Sequence, residues 1–195
     1  RIHEDFLNHI DIKKDNIHLI NGNVPLEELS AYCAEYDRMA RNIDLMVIGM
    51  GVQGQIGFNE PGSYIKSVTR MVQLTYESRK TQAGIFNGVE NTPKLAITMG
   101  LNTVMSAKRI ILMAWGENKA SILRKVVEED ATRLIPASLL QNHSNIEAVV
   151  DDPAAAMLTV KSAPWLVGPC QWTPRMVRKA VVWLCEVVKK PILKL

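Results

Sequence analysis

The sequence predicts an α/β fold of three layers, with a mostly parallel, Rossmann-like sheet flanked by helices. Several apolar runs are continuous rather than alternating, as in strands buried on both faces of a parallel sheet. Amphipathic helical patterns separate those runs, the alternation expected of βα units. One run ends directly in a glycine cluster, as where a strand delivers its carboxyl end into an irregular loop.

The apolar stretch at 17–20 is the first expected strand, and 25–41 is a long amphipathic helix. Further strands are expected at 45–48, 71–75, 95–99, 109–115 and 146–150. Between the last two, 118–129 places Ile122, Leu123, Val126 and Val127 on one side of a helix. Composition then changes near Ala163, where "SAPWLVGPCQWTP" reads as a connecting segment rich in Pro and Trp. Thr173 and Pro174 form a favourable N-cap and first-turn pair. Val177, Ala180, Val181, Leu184 and Val188 follow at helical spacing, and Lys189, Lys190 and Pro191 end that helix. The closing "KKPILKL" reads as a strand. Two units are therefore expected, 1–162 and a linker with helix at 163–195. Arg1 opens without Met, apparently inside a helix, so the chain reads as a fragment of a longer protein.

Composition narrows the class. The chain has 195 residues, 47% of them hydrophobic, enough for one domain with a full core, or for one domain plus an appendage. Its net charge of +3 is spread without a long basic block or a stacking-aromatic pattern, which argues against nucleic acid as a partner. No apolar run approaches the roughly 18 residues that span a membrane, and the start is charged and amphipathic rather than a signal peptide. Cys33, Cys170 and Cys185 are odd in number and far apart, and read as reduced thiols of a cytoplasmic protein. His3, His9, His18 and His143 lack ligand-like neighbours, so neither a metal nor another cofactor is expected.

The chemistry concentrates in "DLMVIGMGVQGQIGFNEPGS". Gly49, Gly51 and Gly54 fit G-x-G-x-x-G, but a dinucleotide site needs a helix opening directly after the third glycine. Gly57, Pro61 and Gly62 oppose a helix there. The remaining reading is a ligand loop at a strand end, where glycines let backbone N–H groups approach closely. Glu60 can then act as a general acid/base or orient one, the alternative being a turn with a solvated glutamate.

"IGMGVQGQIGFNEPGS" resembles the signature of the glucosamine-6-phosphate deaminase (isomerase) family, "FNEPGS" being its most specific part. "HEDFLNHIDIKKDNIHLINGN", "TPKLAITMGLNTVMSAKRIILMAWGENKA", "IPASLLQNH" and "VVDDPAAAMLT" extend the resemblance over about residues 1–160. The related 6-phosphogluconolactonases share the glycine loop but usually lack "FNEP". The resemblance implies conversion of glucosamine 6-phosphate to fructose 6-phosphate and ammonia, and a homo-oligomer. In that chemistry the sugar ring opens, a carboxylate moves a proton between C1 and C2, and the amine leaves. The family's ring-opening histidine is oriented by an aspartate and a glutamate. By position the glutamate is Glu60, but Gln53 stands at the aspartate position and Gln55 at the histidine position. A glutamine amide hydrogen-bonds a sugar hydroxyl but does not titrate, and losing a general acid/base costs about 10²–10⁴-fold in rate.

The resemblance also implies that Lys119, in "WGENKA", binds the phosphate at a helix start. The family's lid arginine falls on Gly84, with Arg79 and Lys80 about one helical turn away. Arg70 matches an arginine of an allosteric site in some members, whereas Tyr64 and Val72 do not match their counterparts. The family's N-terminal half, with a phosphate loop and the proton-moving aspartate, has no counterpart in this sequence. The tail resembles the linker of longer bacterial proteins that join a deaminase-like domain to an N-acetylsugar deacetylase-like domain. Two functional readings stand beside active deamination: a non-catalytic sugar-phosphate-binding or regulatory module, and a lactonase-like enzyme.

Overall fold

A computed structural model describes residues 2–194. In chain order the helices and strands are α1 (Ile2–Asp5), α2 (Leu29–Met39), β1 (Leu45–Gly49), β2 (Arg70–Gln73), α3 (Tyr76–Gln82) and β3 (Leu95–Thr98). They continue with α4 (Leu101–Met105), β4 (Arg109–Ala114), α5 (Ala120–Glu128), β5 (Ile146–Val150), α6 (Asp152–Ala155), α7 (Thr159–Ser162) and α8 (Pro174–Val188).

The most continuous apolar run becomes the central strand. β4 lies between β1 and β5 in a three-stranded parallel sheet, with Met46 opposite Ile110 and Ile48 opposite Leu112. Alternate side chains of β4, Ile110, Leu112 and Ala114, are buried against Leu101 and Val104 of α4 and Leu123 and Val126 of α5. Each such Leu or Ile contributes about 1.5–3 kcal/mol by leaving water. The chain is thus an α/β protein with a parallel sheet flanked by helices. The opposite sheet face is different: Leu45 (48%), Val47 (50%) and Val149 (39%) remain exposed.

Two expected strands pair differently from the rest. β2 and β3 form their own two-stranded antiparallel sheet, with Arg70 opposite Thr98. The chain returns between them through α3, a single short helix, and Met71 and Leu95 face solvent rather than a second layer. Asp37 of α2 fixes this hairpin: its carboxylate accepts from Thr69 N (2.8 Å), Thr69 Oγ1 (2.7 Å) and Thr103 Oγ1 (2.7 Å).

Residues 17–20 do not form the expected strand, because no neighbouring strand pairs with them among the described residues. Tyrosines of α2 hold that segment instead: Tyr36 Oη donates to His18 O and Tyr32 Oη accepts from Asn21 N. "KKPILKL" is corrected likewise. Ile192–Lys194 is a 3-10 turn, since Pro191 lacks a ladder donor and no strand lies beside it among the described residues. The expectations for Arg1 and for the last residue of that run lie outside the described residues.

Ala163 sits between α7 and the 3-10 turn Pro164–Leu166. Beyond it, Thr173 Oγ1 caps α8 by accepting from Met176 N, and Lys189 ends the helix in the left-handed conformation. Trp165 stacks on Trp172 and meets Trp183 of α8 edge-on, each at 6.1 Å between ring centroids.

Candidate functional site

The parallel register places the carboxyl ends of β1 and β4 side by side, Gly49 opposite Met113. β1 feeds the glycine loop, and β4 feeds Gly116 and the start of α5. Gly116 has φ 86, and its N–H donates to both oxygens of Asp151 beyond β5, at 3.0 and 3.1 Å. The same carboxylate caps α6 through Ala154 N. A left-handed turn at the end of β4 is thereby tied to the end of β5, and the chain enters α5 through the 3-10 turn Glu117–Lys119.

Lys119 occupies the N-cap position of α5. Its Nζ crosses the crevice and donates to Met50 O at 2.7 Å, directly at the glycine loop. Burial holds its ammonium below the usual lysine pKa. No acidic side chain lies in the first turn of α5. The cation and the positive end of the helix therefore reinforce each other.

The loop is built around Gln55. Gly51 N donates to Gln55 O (2.9 Å), and Gly54 N donates to Gly51 O (3.0 Å). The Gln55 side chain folds over Gly51, where a Cβ would collide with its amide. Its Oε1 accepts from Gln53 N (2.9 Å), its Nε2 donates to Ser78 Oγ (3.3 Å), and it is only 7% exposed. Both ends of the amide are thus engaged inside the protein. Gly54 has φ 73 and its carbonyl accepts from Ala137 N at 2.8 Å. A Cβ there would lie 2.5 Å from Ile135 Cγ2. Gly49, by contrast, has open space where a Cβ would go.

Past this loop, Asn59 is buried and donates to Ile56 O and Met99 O while accepting from Arg70. That anchor fixes the adjacent Glu60. Glu60 Oε1 accepts a long bond from Thr75 N (3.4 Å), and its Oε2 is buried with no partner among the described residues. Gln55 and Glu60 therefore both reach the first turn of α3, one through Ser78 and one through Thr75. The structure brings Gln55 and Glu60 to the start of α3, Gln53 joining only through its backbone N–H to Gln55, and brings Lys119 to the loop's beginning at Met50.

Thr75 and Ser78 are the residues that sequence reading missed. Thr75 had been placed at the end of a strand, but its Oγ1 accepts from Ser78 N as the N-cap of α3. The T-x-x-S spacing before a helical stretch is the signal that identifies it. Arg79 donates to Val89 O at 2.7 Å, and nothing lies within 4 Å of where a Cβ on Gly84 would go. A cleft of about 680 Å³ beside β2 and β3, lined by Phe58, Met71, Leu74, Ile85, Phe86 and Ile97 among others, contains none of the expected site residues.

Among known proteins, the family model described as glucosamine-6-phosphate isomerases/6-phosphogluconolactonase matches residues 1–150. A glucosamine-6-phosphate deaminase-like protein of Bacteroides thetaiotaomicron is 43% identical over 195 residues, covering 98% of this chain and 29% of the relative. The glucosamine-6-phosphate deaminase of Shouchella clausii is 42% identical over 157 residues, covering 79% of this chain and 63% of the relative. A solved glucosamine-6-phosphate deaminase, described as monomeric, superposes with a TM-score of 0.74 at 37% identity, covering 80% of this chain and 65% of that one. The chain thus spans less than two thirds of the length of these relatives.

Proposed function

Because this chain belongs to the glucosamine-6-phosphate isomerase/6-phosphogluconolactonase family, we propose that it is the sugar-phosphate-binding part of a deaminase of amino-sugar metabolism whose proton relay is altered. The observation that carries this is the Lys119 ammonium, held at the N-terminus of α5 and against the mouth of the glycine loop. A phosphate placed there meets a cation, the positive end of the helix and the backbone of the loop. Glucosamine 6-phosphate is the proposed ligand, by the names of the deaminases it resembles.

The rest of the sugar then faces Glu60, the one titrating side chain among Gln53, Gln55 and Glu60. Its carboxylate takes the general acid/base role. Gln55 keeps the loop closed but supplies no proton, since an amide does not titrate. Ring opening is accordingly the slow step. A second reading, binding without turnover, is favoured by one observation: both ends of the Gln55 amide are already engaged within the protein.

Calorimetry on the complete polypeptide tests the phosphate role. Lys119→Ala is expected to weaken glucosamine 6-phosphate at least about tenfold and to leave unphosphorylated glucosamine unchanged. Equal losses for both ligands would remove it. No helix among the described residues is long and apolar enough to cross a membrane; a cytoplasmic setting follows from the proposed metabolic role. The homo-oligomer remains a proposal for sedimentation to decide, since the solved relative is described as monomeric.

A further inference from the structure

We propose that the cleft between the 3-10 turn Pro164–Leu166 and α8 is a second binding site, for a phosphate monoester of a small hydroxylated compound. It lies apart from the crevice at Lys119, and the proposal is independent of the catalytic reading above.

The cleft has a volume of about 510 Å³, within the range that small ligands occupy. One wall is a single face of α8, where Arg175, Lys179, Val182 and Glu186 recur at intervals of three and four residues. Arg178 borders that face and also lines the cleft. The other wall is Trp165, whose ring meets Trp183 of α8 edge-on. Stacking on Trp172 holds the Trp165 indole from its far side along the chain.

The cations of this cleft are unbalanced. The side chains of Arg175, Arg178 and Lys179 make no ion pair, hydrogen bond or ring contact among the described residues. Arg175 is three residues from Arg178 and four from Lys179, spacings at which like charges repel across one helical turn. Arg175 also stands in the first turn of α8, which holds no acid, and the positive end of a helix disfavours a cation there. Glu186, the one acid of α8, lies seven residues beyond Lys179, roughly 10 Å along the axis, and pairs with none of the three. An anion seated between the guanidiniums and the ammonium offsets their mutual repulsion and their conflict with the helix together.

The lining says which anion. Guanidinium forks match the oxygens of a phosphate, and the Lys179 ammonium adds a point charge beside them. Indole walls suit a carbon skeleton rather than a bare ion. Glu186, at the far end of the same face, accepts from a hydroxyl. A phosphate monoester of a hydroxylated compound uses all of these walls, whereas inorganic phosphate uses the cations alone. The family match ends at residue 150, before every residue that lines this cleft.

The test is calorimetry on the complete polypeptide carrying Lys119→Ala, which removes the cation of the other site. The probes are glucose 6-phosphate, inorganic phosphate and glucose. The expected result is one site per chain for glucose 6-phosphate, weaker binding of inorganic phosphate and none of glucose. Adding Arg175→Gln/Lys179→Gln is expected to weaken glucose 6-phosphate at least about tenfold. Both side chains are exposed and glutamine is a good helix former, so α8 is retained. Lys189→Gln/Lys190→Gln removes the same charge outside the cleft and is expected to leave the affinity unchanged. Several results overturn the proposal. One is no binding of glucose 6-phosphate in the Lys119→Ala background. A second is binding that survives Arg175→Gln/Lys179→Gln. A third is an equal loss in Lys189→Gln/Lys190→Gln, showing diffuse charge rather than a site. The last is inorganic phosphate bound as tightly as the ester, showing that the indoles and Glu186 take no part.

Discussion

Gln55 is where the site's chemistry turns. On the proposed function it stands where the family has a titrating histidine, and its amide is spent on Gln53 N and Ser78 Oγ rather than on an open crevice. The side chain fits because Gly51 beneath it has no Cβ. An imidazole in the same slot keeps a hydrogen-bond partner in Ser78 and gains a proton to move. In the complete polypeptide, Gln53→Asp with Gln55→His is therefore expected to raise ammonia release from glucosamine 6-phosphate by about 10²-fold or more. Gln55→His alone is expected to raise it less, because the orienting carboxylate would be missing. Lys119 supplies a prediction in pH. Burial lowers its pKa, so between that value and the ordinary lysine value the folded chain binds fewer protons than the unfolded chain. Its contribution to stability rises with pH across that window, because the cost of a buried charge disappears there. Phosphate affinity moves the opposite way, since the amine has lost its charge. Calorimetric titration should show affinity falling at a lower pH than an ordinary lysine allows, and Lys119→Arg should flatten that fall.

Elements were legible in the sequence where their stability is local or their burial one-sided. The helix around Leu123 and Val126, the strands flanking Gly49 and Ile110, and the Thr173 cap all announce themselves by period or by capping residue. Residues 17–20 did not become a strand, because an apolar run records only willingness to pair and not the presence of a neighbour. The antiparallel pairing of β2 with β3 was equally hidden. It depends on Asp37, distant in sequence, reaching Thr69 and Thr103. Asp37→Ala removes three accepted bonds and is expected to cost about 2–3 kcal/mol, read from the urea midpoint, with Asp37→Asn costing less. Gly54→Ala combines a left-handed φ of 73 with a contact against Ile135 Cγ2. It should cost about 2–4 kcal/mol and loosen the loop at Ala137. An unchanged midpoint in either variant would show that these joints do not hold the fold.

At the scale of the whole molecule, the sheet is buried on one face and leaves Leu45, Val47 and Val149 exposed on the other. Parallel sheets are normally covered on both sides, and the solved deaminase is longer than this chain, which covers 65% of it. The expected outcome is that the complete polypeptide protects these three side chains. Val47→Cys should label fast in this chain alone and slowly in the complete polypeptide, and equal labelling would show the face to be a true surface. On the proposed function, an inherited sugar-phosphate site has kept its ligand and lost its proton relay. The most direct measurement is the rate of ammonia release from glucosamine 6-phosphate by the complete wild-type polypeptide, taken alongside calorimetric binding of the same compound. Lys119-dependent binding is expected, with release about 10²–10⁴-fold slower than in histidine-bearing relatives and recovery in Gln53→Asp/Gln55→His. Wild-type release as fast as in those relatives would contradict this reading and place the ring-opening proton on another residue.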